Sequence, residues 1–429
     1  MELNKRMLAV LPCTLIAAAA SGQSVDQERA YQSELLADAD SRTSLLQGAG
    51  GSAGYADGFV ISDATGDNTL RINMLSQFRY VWNNRSNDSA PGANDKDTIG
   101  FQIPRAWLNF SGNVINKNVG YQIRVETNGL DRATGPSDAS GGAFFVSDAF
   151  ATYKMDDNWT FRWGQFRPAL SREGMVDDQY QLGLERSFID TNTGSSSRVQ
   201  GIDFNYTDDQ FRFWGGFTDG LFTANSDINS PAEADYAING RFEWMFQGDD
   251  WGRFDDFTSF RNSDNAAMAG VSLWYQTGGE TNMTADVDVF VIVGDFTWEG
   301  DGWNVFAQYT GVNVDPSGGT STFDSSILVQ GGFFFTEEFE AYGAWTSTLP
   351  DNRPGPPTTD DNFNTITVGG NYYFIPGSHA AKASADVQIY LDKTTTSSSV
   401  IFTPNTIAPI FTSPDSGQFA LRLQMQLFF

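Results

Sequence analysis

The chain has 429 residues, of which 14% are aromatic and 43 are glycine, and its formal net charge at pH 7 is -27. Proteins that bind nucleic acids need clustered positive charge against the phosphates, so this charge argues against that class of function. The mean hydropathy is only -0.33 despite the many aromatic residues, which indicates bulky apolar side chains evenly diluted by polar ones.

Residues 1–22 are predicted to be a secretory signal peptide. Lys5 and Arg6 precede a short apolar run at 7–20, and the small residues of AAAASGQS follow it. The run is too short to span a bilayer comfortably as a helix. The single cysteine, Cys13, lies within it, so we expect no disulfide and no thiolate chemistry in the mature chain.

A periplasmic helical segment and a linker are predicted at 23–69. Residues 25–47 lack glycine and proline and carry two pairs of leucines, which favours short amphipathic helical turns. The stretch GAGGSAGYADG that follows is typical of a flexible linker. We interpret this segment as a tether or an oligomer contact.

From residue 70 to residue 429 the apolar residues recur with a period of two, which predicts β-strands. The chain is therefore assigned to the all-β class. Sixteen candidate strands are predicted at 70–82, 101–111, 119–128, 144–154, 159–167, 198–207, 210–218, 236–246, 268–276, 287–298, 303–310, 327–335, 339–348, 366–374, 383–391 and 418–429.

The connections between these strands alternate between long and short. Long polar connections such as 83–100 and 169–197 alternate with short ones such as 112–118 and 208–209. Long loops at one end and tight turns at the other are typical of transmembrane antiparallel β-barrels, which must close because lipid tolerates no open sheet edge. The connection 247–267 is long where a short turn is expected, and it is either a turn-end insertion or a sign of a miscounted strand.

The last predicted strand, FALRLQMQLFF, shows the alternation most clearly. Its apolar series, which includes Leu423 and Met425, is expected to meet lipid. Its polar series, Arg422, Gln424 and Gln426, is expected to face the lumen. The prediction is a transmembrane barrel domain at 70–429 with about 16 strands, preceded by the short helical segment.

The sequence offers little for catalysis, metal binding or a cofactor. The only histidine, His379, lies in a predicted turn, and no catalytic or phosphate-binding motif is present. We predict no enzyme activity, no cofactor and no metal. Two alternatives stay open: a membrane-embedded lipid hydrolase using His379, and a non-conducting structural barrel. Against the second, several glycines in the inward phase of their strands indicate an open lumen: Gly164, Gly216, Gly332 and Gly369.

Arginines occupy the inward phase of several predicted strands. They are concentrated early in the chain, since only Arg353 and Arg422 follow Arg261, so one wall of the barrel is expected to be basic. Such a wall either simply lines water or forms a path for anions, and inward carboxylates such as Asp203 and Glu243 oppose the second interpretation. The pore-lining candidates are Arg71, Arg79, Arg105, Arg124, Arg162, Arg212 and Arg241.

The connection 169–197 is predicted to fold into the barrel as a constriction. It contains SREGMVDDQYQLGLERSF, in which the apolar residues Leu182, Leu184 and Phe188 stand among charged ones. A plain exposed loop would not need these apolar residues. The constriction candidates are Arg172, Glu173, Glu185 and Arg186.

Three stretches resemble the phosphate-selective porin O and P family: FQIPRAWLNFSGNV, DAFATYKMDDNWTFRWGQFRPALSREG, and LERSFIDTNTGSSSRVQGIDFNY followed by FRFWGGFTDG. The resemblance implies a sixteen-stranded barrel of the bacterial outer membrane, usually a homotrimer, with an arginine-lined pore narrowed by a loop. It also implies that the terminal aromatic serves as an assembly signal. Arg105 and then Trp107 stand where the family often has two arginines flanking one residue, and lysines are few; both departures concern phosphate selectivity.

The resulting hypothesis is an outer-membrane porin that passes small hydrophilic solutes by diffusion, with a preference for anions or phosphate as its finer form. The expected partners are outer-membrane lipid, the permeating solutes or anions, and two further copies of the chain.

Overall fold

The structure is a computed structural model that describes residues 51–85, 96–127, 144–228, 230, 233–278, 286–351, 362–394, 409–411, 413 and 415–429. The predicted signal peptide and helical segment lie outside these residues. The part from Ala53 to Phe429 forms one compact unit, which contains the barrel. None of the helices in the described ranges is long and apolar enough to cross a bilayer.

Eighteen strands and a few short helices make up the described part of the chain. The strands are β1 Ser52–Tyr55, β2 Phe59–Ser62, β3 Thr69–Asn84, β4 Asp97–Asn113, β5 Val119–Thr127, β6 Phe144–Lys154, β7 Trp159–Phe166, β8 Val199–Thr207, β9 Phe211–Thr218, β10 Tyr236–Gln247, β11 Ala266–Thr277, β12 Val287–Gly300, β13 Trp303–Pro316, β14 Thr322–Phe334, β15 Phe339–Leu349, β16 Phe363–Tyr373, β17 Ala381–Tyr390 and β18 Phe419–Phe428. The helices are α1 Arg172–Met175 and α2 Phe188–Thr193, with 3₁₀ turns at Asp178–Tyr180 and Trp251–Asp255.

Strands β3 to β18 form a closed antiparallel barrel of sixteen strands. Each strand pairs with the next one along the chain, and β18 returns to pair with β3 from Phe419 opposite Asn84 to Phe428 opposite Leu75. Every predicted strand overlaps one of these sixteen, so the predicted fold class and strand count are confirmed. The alternating long and short connections place the long loops at one end of the barrel and the tight turns at the other.

The connection between β10 and β11 is an insertion at the turn end of the barrel. Residues 248–265 contain a 3₁₀ turn at Trp251–Asp255 and no strand. β10 and β11 pair directly with each other, from Tyr236 opposite Thr277 down to Gln247 opposite Ala267. The question that the sequence left open is thus answered: no strand was miscounted.

The stretch before the barrel is more ordered than its glycine-rich composition suggests. β2 lies in the segment predicted to be a linker, and it pairs with the start of β3, Phe59 opposite Ile72. It continues the line of β18, because Phe429 exchanges backbone hydrogen bonds with Met74, with N–O distances of 2.6 and 3.1 Å. The four residues FVIS are too few for a period of two to be recognised in the sequence. They pair with Thr69–Ile72 of β3 because the pairing of β18 with β3 stops at Leu75.

Side chains alternate between the two faces of the barrel as predicted. In β18, Leu423, Met425 and Leu427 are exposed on the outer face, whereas Arg422 and Gln426 are buried inside. Exposed aromatic side chains recur near both ends of the strands, as expected for the two interfaces of a membrane. They include Trp159, Trp244, Trp298 and Phe335 near the turns, and Phe101, Phe144 and Phe217 near the loops.

Candidate pore and its lining

One long loop enters the barrel and packs against a single wall. We call residues 167–198 the inner loop. Its Leu182 and Leu184 are buried in one cluster with Leu328 of β14 and Tyr342 of β15. Phe188 packs edge-on against Phe363 of β16, with ring centroids 5.7 Å apart. The segment therefore folds into the barrel as predicted, and the apolar residues that suggested this are its anchors; its role as a constriction stays a prediction.

Polar side chains of the same wall hold the backbone of the inner loop. Arg79 Nη2 donates to Leu184 O at 2.9 Å, and Asn371 Nδ2 donates to Leu182 O at 2.9 Å. Lys382 Nζ donates to the carbonyls of Gln179 and Gln181, both at 3.2 Å. These bonds satisfy carbonyl groups that would otherwise be buried without partners. We call this wall, β14 to β18 with β3, the packed wall.

The inward glycines do not line open space, which corrects our interpretation of them. A Cβ atom at Gly332 would lie 2.5 Å from Glu340 Oε1 and 3.0 Å from Leu182 Cδ1 of the inner loop. One at Gly369 would lie 2.6 Å from Asp386 Cβ, and one at Gly216 would lie 2.4 Å from Asn239 Oδ1. Glycine is present because neighbouring atoms come close, which period and composition do not reveal.

A second segment closes on the inner loop from the opposite end. This is the turn-end insertion, residues 248–265. Its Phe257 packs edge-on against Phe306 at 4.9 Å between ring centroids, and Phe257 N donates to Tyr180 O of the inner loop at 3.1 Å. Arg172 Nη2 donates to Asp256 O at 2.6 Å. The two segments thus meet inside the barrel and fill the side away from β5–β9.

A cavity of about 290 Å³ remains between the strands β5 to β9, called here the basic wall, and the two inserted segments. Basic, acidic and aromatic side chains share its surface. The strands contribute Gln122, Arg124, Asp148, Phe150, Arg162 and Trp214; the inner loop contributes Arg167, Ala169, Met175, Asp177 and Tyr180; and the turn-end insertion contributes Asp255.

Arg124 and Asp177 join the basic wall to the inner loop. The guanidinium of Arg124 binds both carboxylate oxygens of Asp177, at 3.1 and 2.9 Å, and stacks on Trp107 with 4.5 Å between Cζ and the ring centroid. Arg167 adds a third hydrogen bond to Asp177 at 3.1 Å. Burial alone would raise the pKa of Asp177, but Arg124 and Arg167 outweigh it and hold this pKa below its ordinary value.

Arg162 occupies the cavity beside this pair. Its Nε donates to Asp203 Oδ1 at 3.0 Å, and its Nη2 also binds Asp203. The guanidinium lies over the ring of Phe166, 3.9 Å from the centroid, and 21% of the side chain is exposed. Nη1 has no hydrogen-bond partner among the described residues, so Arg162 keeps one donor for the cavity.

The remaining predicted arginines occupy three kinds of position. Arg105 binds Glu185 of the inner loop at 3.0 and 2.6 Å and is half-buried, whereas Arg212 binds Glu243 at 2.8 Å and Asp255 at 3.5 Å. Arg79 and Arg241 have no exposed surface, and both are held by carboxylates of the barrel interior. Arg71 is exposed near the turn end, outside the cavity.

The predicted constriction residues are buried rather than open to the lumen. Arg172 donates to carbonyls of the turn-end insertion, and Arg186 pairs with Asp178. Glu173 accepts from Ser187 N and Ser187 Oγ at 2.6 and 2.8 Å. Burial, and after it the neighbouring carboxylate of Asp190, raises the pKa of Glu173 to about 7. With Glu185 bound to Arg105, all four hold the inner loop in shape.

His379 lies in the turn between β16 and β17, as predicted, but it is buried. Its Nε2 is 2.7 Å from Asp256 Oδ2 of the turn-end insertion, and its ring packs edge-on against Tyr180 at 5.0 Å. Within the described ranges, no group of three or more His, Cys, Asp or Glu side chains is placed to hold a metal ion. The histidine therefore fastens the insertion across the turn end.

The model of the family phosphate-selective porin O and P matches residues 78–396. The chain belongs to that family. A search of curated proteins gave no match.

Solved structures with the same fold are outer-membrane porins and channels. An anion-selective porin from Comamonas acidovorans superposes with a TM-score of 0.57 at 11% identity, covering 84% of this chain and 99% of that chain. Salmonella typhi OmpF gives 0.56 at 14% identity, covering 88% and 100%. A trimer form of OmpT from Vibrio cholerae gives 0.50 at 14% identity, covering 84% and 99%. At these identities the likeness concerns the fold, while the family match makes this porin a protein of the bacterial outer membrane.

Several cavity residues of this porin were not among the predicted site residues. Arg167 and Asp177 follow β7 in the inner loop, where no strand period assigns a side chain to a face. Trp214 lies in the inward phase of β9, two residues after Arg212, so the same alternation could have found it. Asp255 lies in the insertion whose direction the sequence left open.

Proposed function

We propose that this porin conducts small hydrophilic solutes through the cavity between the basic wall and the inner loop. One observation carries the proposal: the packed wall is filled by the inner loop and the turn-end insertion, while the cavity of about 290 Å³ adjoins β5 to β9. Pores of this kind usually discriminate between solutes by means of charged and polar groups that replace part of the solute's hydration shell.

Within this passage, we propose a modest preference for anions. Arg124, Arg162 and Arg167 line the cavity together with Asp148, Asp177 and Asp255, so the lining is nearly balanced in charge. Asp148 and Asp177 are neutralised by two arginines each, whereas Arg162 keeps a donor for a passing solute. Phosphate selectivity would require a larger positive excess than this lining supplies.

Planar-bilayer recording of the purified full-length protein tests both statements. We expect stable single-channel steps and, in a KCl gradient, a reversal potential of the sign that indicates chloride permeating more readily than potassium. Cation preference would assign the passage to its carboxylates, and an absence of steps would favour the non-conducting barrel. Hydrolysis of a lipid substrate by the same preparation would revive the enzymatic alternative.

The working form is proposed to be a homotrimer in outer-membrane lipid, exported by the signal peptide at residues 1–22. The trimer form of the OmpT neighbour supports the oligomeric state. A crosslinking ladder ending at three copies and N-terminal sequencing of the mature protein would test the two parts separately.

A further inference from the structure

We infer that the turn-end insertion is a second charge filter of the pore, and that Asp255 is its specificity-determining residue. The inference rests on the proposed passage through the cavity beside the basic wall. It assigns to residues 248–265 a role in permeation beyond that of the inner loop, and it makes a carboxylate at the turn end of the passage restrain anion flow.

The position of Asp255 is fixed by a rigid insertion. Phe254 is buried beside Met245 and Met268, and Trp251 Nε1 donates to Asp208 O at 2.7 Å. Arg253 pairs with Glu299 at 3.0 Å. Asp255 stands between these anchored residues and Phe257, so its backbone has little freedom to leave the cavity.

The insertion is also fastened along the rim. Ser259 Oγ donates to Gly300 O at 2.5 Å, and Thr258 Oγ1 lies 3.1 Å from Tyr373 Oη. Asp256 contacts His379 at 2.7 Å, in a turn six strands away from β10 and β11. The segment thus spans part of the turn-end mouth, and a solute leaving the cavity on that side has to pass it.

Asp255 is the least neutralised carboxylate of the cavity. Its side chain is 68% exposed, and its ion pair among the described residues is a 3.5 Å contact with Arg212 Nη1. Arg212 itself is bound more closely by Glu243, at 2.8 Å. By contrast, Asp177 lies about 3 Å from two guanidinium groups. A charge that is both exposed and incompletely paired contributes most to the field along a water-filled path.

The geometry therefore sets two opposite charges in series. Arg162, with its unpartnered Nη1, lies on β7, whereas Asp255 lies beside Arg212 at the turn end of β9. Anions are attracted at the first position and repelled at the second, which explains chemically why the preference of this pore should be modest.

The test compares Asp255→Asn with Asp157→Asn in planar bilayers, using the full chain. Asp157 is a fully exposed carboxylate in a turn at the same end of the barrel, outside the cavity. We expect Asp255→Asn to raise the chloride-to-potassium permeability ratio by roughly two- to fivefold, the effect of about one unit charge in a water-filled path. The control should leave the ratio unchanged.

A second variant separates charge from folding. Asp255→Glu keeps the charge and should retain the wild-type ratio, while both Asp255 variants should show the same heat stability as the parent barrel. If single-channel steps appear but Asp255→Asn leaves the ratio unchanged, or shifts it no more than the control, the filter assignment is wrong while the porin stands. If the wild-type protein gives no steps at all, the proposed passage is wrong, and the filter assignment that rests on it is wrong as well.

Discussion

The basic wall and the packed wall of this barrel are built from the same alternating pattern, but the packed wall is covered by the inner loop and the basic wall borders a cavity. On the packed wall, inward polar side chains such as Asn371 and Lys382 bind carbonyls of the inner loop and have almost no exposed surface. On the basic wall, Arg162 and Trp214 face a cavity. The period of a strand decides which side chains point inward, but not whether they meet water or protein.

The difference arises because the inner loop contacts different strands through its carboxylates and through its leucines. Asp177 and Glu185 bind arginines of β5 and β4, while Leu182 and Leu184 bind the apolar patch on β14 and β15. The loop thus packs its leucines against the packed wall and binds the basic wall through Asp177, while Glu185 also pairs with Arg79 of β3. A cavity remains beside the basic wall, where charged pairs rather than apolar packing join the loop to the strands.

The largest effect on conductance should follow from releasing the inner loop from the packed wall. The double substitution Leu182→Asp and Leu184→Asp removes two buried side chains, each worth about 1.5–3 kcal/mol, and places carboxylates in an apolar cluster. We expect single-channel conductance to rise several-fold, measured in 1 M KCl, a solution chosen to screen surface charge.

The control for this release is Ile228→Asp, which adds a carboxylate at a loop position that is 97% exposed. It should conduct like the parent. Unchanged conductance in the double variant, with the barrel still folded by circular dichroism, would mean that the loop does not limit the passage.

The next effect concerns charge on the basic wall. Arg162→Glu replaces a cavity cation by an anion next to Asp203, and we expect the permeability ratio to shift toward potassium by roughly tenfold, since two unit charges change in a partly aqueous site. Lys154→Glu makes the same charge change in a half-exposed side chain outside the cavity and should shift the ratio little. An equal shift in both variants would indicate a surface effect and remove Arg162 from the passage.

The fold of this porin is largely readable from its sequence, and the site only in part. All sixteen strands and the inward phase of Arg124, Arg162 and Arg212 follow from a period of two. The partner of Arg124 does not, because Asp177 lies 53 residues away in a loop without regular period. Gly332 shows the same limit, since the atoms that require a glycine there come from Glu340 and the inner loop.

Arg241 is expected to stabilise the barrel without affecting ion preference, unlike Arg162. Arg241 is completely buried and binds Asp295 at 2.8 and 2.9 Å and Glu243 at 2.8 Å. Arg241→Met leaves both carboxylates with one partner fewer, and breaking a buried pair in this way costs roughly 3–5 kcal/mol. We expect a lower unfolding temperature in detergent and an unchanged permeability ratio.

Adding Asp295→Leu to Arg241→Met should recover part of the lost stability, because the unpaired charge is then removed as well. A permeability ratio that moves with Arg241→Met by as much as with Arg162→Glu would place Arg241 in the passage and blur the distinction between the two groups.

The smallest effect should come from pH, through the packing of the inner loop. Because the pKa of Glu173 is raised to about 7 in the folded chain, protonation favours the folded loop; this stabilisation is complete below the ordinary value near 4.5 and is lost as pH rises through 7. Above that pH the ionised Glu173 meets the carboxylate of Asp190, so brief closures and open-channel noise should increase between pH 6 and pH 8. Glu173→Gln keeps the neutral form and should reduce this dependence. Noise that rises equally in Glu173→Gln would assign the pH response to another group and leave the loop packing independent of Glu173.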